Sequence, residues 1–112
     1  MKQLNWDEAQ HIISDKKNKN KVFFVVFTMH NQFESAVMEY IYDEIFQDFK
    51  NEGNVKCIQI DIDEAKIYQD LNDKYHILSV PIFLIIQNNQ IKKRGIGFYP
   101  KEIIVDFIEE HL

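Results

Sequence analysis

At 112 residues, with 46% apolar side chains and nine phenylalanines, the chain is long enough for one core and too apolar for a disordered segment. A net charge of −5 with acids and bases interspersed argues against a uniformly basic nucleic-acid binder. No apolar run approaches the roughly 20 residues of a membrane-spanning helix, no leader pattern is visible, and the lone Cys57 excludes an intrachain disulfide. The expectation is a single domain over residues 1–112, located in the cytoplasm.

Residues 5–15 predict a short helix, capped by Asn5 or Asp7, with Trp6, Ala9, Ile12 and Ile13 on one face. A lysine-rich stretch at 16–21 reads as a solvated connection, with nucleic-acid or membrane contact as the minor alternative. Residues 21–28 are apolar, aromatic and β-branched, the pattern of a strand buried on both faces. The chain then turns polar and enters its longest helical segment, 33–51. There Val37, Ile41 and Ile45 form one line, and Met38, Tyr42, Phe46 and Phe49 lie beside it. So wide an apolar sector predicts a heavily covered helix, with Gly53 at its C-cap.

An isoleucine-rich stretch, 55–63, predicts a second buried strand. The helix that separates the two strands makes them parallel neighbours. Residues 64–75 predict a further helix, with Ala65, Ile67, Tyr68, Leu71 and Tyr75 inward. A strand at 82–87, a tight turn at Asn88-Asn89 and a returning strand at 91–96 form a hairpin, punctuated by Gly95 and Gly97. The last helix, 100–111, has Pro100 in its first turn and Ile103, Ile104, Phe107 and Ile108 apolar. This order predicts an α/β fold: a mixed central sheet flanked by helices on both faces.

Three stretches carry a family resemblance. One is 22–27 running into a helix through 28–35. Another is Val55-Lys56-Cys57-Ile58-Gln59-Ile60-Asp61-Ile62-Asp63-Glu64. The third is 75–90, containing Ser79-Val80-Pro81, followed by Gly97 after the last strand. In this order and spacing they resemble the thioredoxin family over nearly the whole chain. The resemblance implies a thioredoxin-like fold and a cis-proline at Pro81. The departures are equally specific. Gln32-Phe33-Glu34-Ser35 stands where redox-active members carry Cys-x-x-Cys. Asn31 matches the preceding tryptophan, Val26 a buried aspartate, and Tyr40 the kink proline.

Disulfide exchange needs a thiolate, which a helix N-terminus favours. Gln32 has no ionisable group, and the Ser35 hydroxyl stays protonated at neutral pH without an adjacent base. No catalytic residue is therefore assigned. Ser35 and Asn31 read as helix-start residues, and Ser35 with His30 as base is the weaker alternative. Glu34 suits the helix dipole and would repel an anionic ligand. Cys57 reads as a small apolar core residue, against an intermolecular or regulatory thiol. His30 has no metal-type spacing with His11, His76 or His111, and Asp61 and Asp63 read as capping residues. Neither a metal nor a cofactor is expected.

The resemblance implies a groove beside Pro81 where an extended segment pairs with the backbone of Val80. Its expected walls are Met29, His30, Asn31 and Phe33, then Ser79, Val80 and Pro81, then Gly97 and Phe98. The expected activity is a redox-inactive module that binds a protein partner or extended peptide, with no nucleic acid and no membrane. Glutathione-transferase-type domains share this fold, so a thiol-binding enzyme using Ser35 or Thr28 is one alternative. A structural subunit of a larger assembly is another.

Overall fold

The computed structural model describes residues 1–112, apart from the side chain of Lys2. Ten short elements follow in order: β1 (Lys2–Gln3), α1 (Trp6–Ser14), a 3-10 turn (Lys16–Asn18), β2 (Val22–Thr28), α2 (Phe33–Phe49), β3 (Val55–Asp61), α3 (Ile62–Ala65), β4 (Ile82–Gln87), β5 (Gln90–Ile96) and α4 (Lys101–Glu109). The five strands form one sheet in the order β1-β3-β2-β4-β5. β1 and β2 run parallel to β3, while β4 is antiparallel to both β2 and β5. Among the described residues no helix is long and apolar enough to cross a membrane.

β2 is the centre. All seven of its residues are buried, because strands flank it on both sides and helices cover both faces. Its alternation divides the core in two. Phe23, Val25 and Phe27 face α1 and α3 with Trp6, Ile13, Ile60 and Leu84. Phe24 and Val26 face α2 and α4 with Met38, Tyr42, Phe83 and Ile104. Trp6 meets Phe27 and Tyr75 edge-on at 5.1 and 4.9 Å, which ties the start of α1 to the sheet.

Local chemistry sets the boundaries. Asn5 and Glu8 form a reciprocal capping box that starts α1. Asn88 and Asn89 adopt φ of 54° and 58°, the left-handed pair that a two-residue hairpin turn requires. Gly95 pairs with Phe83, and a Cβ there would lie 2.1 Å from the Phe83 ring, so the close approach excludes any larger residue. On the second face Lys101 bonds Asp48 at 2.9 Å and Glu44 at 3.4 Å, linking α4 to α2.

Four expectations are corrected. The helix expected over 64–75 is a single turn, α3, followed by a chain of tight turns. Lys66, Gln69 and His76 have left-handed φ, while the Asp70 and Asp73 carboxylates accept the Asn72 and Tyr75 backbone N–H groups. Side-chain bonds of this type compete with the helical ladder. Ile67, Tyr75 and Ile77 still reach the core, but Leu71 is 72% exposed. Gly53 does not cap α2. That helix ends at Phe49, and Gly53 lies in the turn beyond it. α2 is also less covered than its apolar sector suggested. It touches the sheet along Ser35, Met38, Tyr42 and Ile45, whereas Tyr40 is 78% exposed. Finally, β1, which sequence alone left unassigned, pairs with Ile58 and Gln59.

Tyr42 stands out in the second core. Its hydroxyl is buried with no hydrogen-bond partner among the described residues, and burial pushes its ionisation upward. Removing an unsatisfied buried hydroxyl removes a desolvation penalty, so Tyr42→Phe is expected to hold or raise stability, by up to about 1 kcal/mol. Urea unfolding checks this. A loss larger than that would mean that the hydroxyl has a partner.

Candidate functional site

The site forms where β2 ends and α2 begins, beside the turn that opens β4. The Val80–Pro81 peptide is cis. The Pro81 carbonyl accepts the Gly97 N–H at 2.8 Å, which brings the end of β5 against this turn. From the other side, the Gln32 side-chain amide donates to the Val80 carbonyl at 3.2 Å. Its oxygen accepts the hydroxyl of Ser35, and that hydroxyl accepts the backbone N–H of Met29 at 3.0 Å. Hydrogen bonds thus link Met29, Ser35, Gln32 and Val80 in series, and a separate one links Gly97 to Pro81, the residue after Val80.

Ser35 is 1% exposed, on the inner face of the first turn of α2. Thr28 is buried too, and its hydroxyl accepts from Gln59, whose amide also reaches Glu39. Both hydroxyls proposed for thiol binding are engaged internally. His30 and Asn31 are exposed, and Asn31 takes φ of 62° to turn the loop. They line a hollow of about 380 Å³ with Met29, Phe33, Ala36 and Glu39, which contains no residue of 79–81. His30 also borders a smaller polar hollow with Thr28, Gln59 and Asp61.

Exposed apolar side chains lie on the segments that meet at the Pro81 turn. Phe33 and Phe98 are 74% and 58% exposed. Leu78 and Ile96, which the sequence reading did not single out, are exposed as well. Register alone signals Ile96: it lies opposite Ile82, the residue after Pro81. Ser79 is exposed, whereas Val80 and Pro81 are buried and present mainly backbone.

Cys57 is far from this site in sequence and lies partly buried on β3 among residues packed against the second core. Burial pushes its thiol up to about 12. Asp61 caps α3 by accepting the Asp63 N–H. Among the described residues no group of three His, Cys, Asp or Glu side chains is placed to hold a metal ion.

Two expectations follow. Ser35→Ala removes both hydrogen bonds of a buried hydroxyl and should cost about 1–3 kcal/mol in urea unfolding. A change of only a few tenths would mean that the bonds contribute nothing. The folded protein should alkylate at Cys57 with iodoacetamide, at mildly alkaline pH, roughly a hundredfold or more slower than the unfolded chain. Equal rates would contradict the raised ionisation.

Comparison with known proteins agrees with this architecture. The family profile described as thioredoxin matches residues 10–110. A thioredoxin of Bacillus subtilis is 31% identical over 58 residues, covering 52% of this chain and 53% of that protein. A thioredoxin of Staphylococcus aureus is 26% identical over 72 residues, covering 64% of each chain. The chain thus spans about half to just under two thirds of the length of these relatives. A chloroplastic thioredoxin z has the same fold, with a TM-score of 0.76 over 99% of this chain and 93% of that one, at 18% identity. Its crystal structure is described as defining a novel type-specific target recognition.

Proposed function

The chain belongs to the thioredoxin family, and we propose that it acts there as a redox-inactive member that binds an extended protein segment along the Pro81 turn. The observation that carries this reading is the exposure of four apolar side chains attached to this site: Phe33 next to Gln32, which braces the turn, Leu78 just before it, Ile96 opposite Ile82, and Phe98 next to Gly97. Exposed apolar side chains grouped beside such a turn suit the docking of an extended segment. The partner's main chain pairs with the turn, and its side chains cover the apolar rim.

The redox half of the proposal rests on Gln32 and Ser35. Neither supplies a thiolate, and their side chains bond each other instead. Cys57 has no second thiol in the chain and is held protonated by burial. The relatives named thioredoxin therefore share the scaffold with this chain, and its activity is proposed to differ from theirs. The rival, a thiol ligand held by Ser35 or Thr28, meets two hydroxyls already bonded inside the protein.

Two measurements test the reading. With dithiothreitol as reductant, the protein should not accelerate insulin reduction above a buffer control; a robust rate would sink the redox-inactive half. For binding, wild type and Phe98→Asp are compared as baits in the native cell extract. Phe98 is exposed, so the variant should keep its circular dichroism while losing at least one captured protein. Identical captures from the two would rule out the Pro81 groove.

A further inference from the structure

The two outer edges of the sheet differ. β5 forms one of them, blunted by a register shift and by long basic side chains held against the two faces of the sheet. Lys93 lies over the Phe107 ring at 4.9 Å, and Arg94 donates to the His76 carbonyl at 3.1 Å. At the other edge, β1 covers β3 only at Ile58 and Gln59. Among the described residues, Val55, Lys56 and Cys57 have no strand partner on that side.

A hollow flanks this uncovered half-strand on each face of the sheet. On the α1 face a cleft of about 520 Å³ reaches from Ile12, Lys17 and Lys21 to Lys56 and Cys57. On the α2 face a groove of about 300 Å³ runs from Phe46 and Phe49 to Val55 and Cys57. Successive side chains of a strand point to opposite faces. A strand added along β3 would therefore place alternate side chains in the two hollows.

The hollows differ in chemistry. The α1-side cleft carries His11, Lys17, Lys21 and Lys56, and Asp15 is the one acid lining it. That carboxylate is partly engaged, since it accepts the Lys17 backbone N–H and lies 3.9 Å from the Lys17 ammonium. The cation excess is local, in a chain of net charge −5. The α2-side groove has two phenylalanines, with Lys50 and Glu52 balancing each other.

We propose that the uncovered half of β3 docks an extended peptide in which acidic and apolar side chains alternate. The acids face Lys17 and Lys21, the apolar side chains face Phe46 and Phe49, and the peptide backbone pairs with residues 55–57. This surface is separate from the Pro81 groove and stands without it. A nucleic acid is the weaker occupant. It cannot pair with a strand backbone, and no Phe, Tyr or Trp lines the basic cleft for base stacking.

The test uses the full chain, isotope-labelled for amide NMR. The probes are an acetylated, amidated hexapeptide alternating glutamate and valine, its lysine–valine counterpart, and a short thymidine oligonucleotide. The acidic peptide should bind, shift the amides of residues 55–58, and weaken as salt rises. Lys17→Glu combined with Lys21→Glu should weaken it roughly tenfold. The proposal is overturned if the acidic peptide does not bind, if the lysine–valine peptide binds equally well, if the shifts fall elsewhere, or if the oligonucleotide displaces the peptide. The two peptides on the wild-type chain decide the matter even if the double variant fails to fold.

Discussion

Burial of β2 on both faces and both edges is the constraint from which the rest follows. Six apolar side chains from Val22 to Phe27 leave water completely, and each contributes about 1.5–3 kcal/mol relative to exposure. A strand so enclosed needs a partner on each side and a helical layer on each face, which β3, β4, α1, α2 and α4 supply. Against that scale a net hydrogen bond at the end of the strand contributes about 1 kcal/mol. The scaffold therefore does not depend on which residues occupy the start of α2. The fold is retained here with Gln32 and Ser35 at the start of that helix.

What those two residues do instead is local and mechanical. Gln32 reaches the Val80 carbonyl, Ser35 holds Gln32, and Met29 donates to Ser35. The first turn of α2 is thus fastened to the Pro81 turn by polar bonds, beside exposed Phe33 and Phe98. In the proposed binding role, fastening of this kind would fix the shape of the surface presented and lower the ordering cost of binding.

Where sequence was informative, the signal lay in local chemistry. The apolar run of β2 and the asparagine pair of the hairpin determine their conformations without help from distant residues. The helix expected at 64–75 failed for the converse reason. Ile67, Leu71 and Tyr75 keep helical spacing, but the aspartates between them bond the backbone into turns, and periodicity does not register that competition. β1 is too short to show a period at all. At the site, the chemistry of Gln32 and Ser35 was legible in what they lack. The link from Gln32 to Val80 was not, because those partners lie 48 residues apart in sequence. The exposed Leu78 and Ile96 were missed because an apolar residue beside a strand reads as core until its neighbours are placed.

The blunted edge at β5 has a consequence for assembly. A sheet with two open edges can pass a pairing interaction from one copy to the next and grow into a filament. Here the register shift between Ile85 and Ile86 and the basic residues Lys93 and Arg94 make the β5 edge a poor template for pairing. A strand added beside β3 therefore meets, at the far side of the sheet, an edge that resists passing the pairing on to another copy.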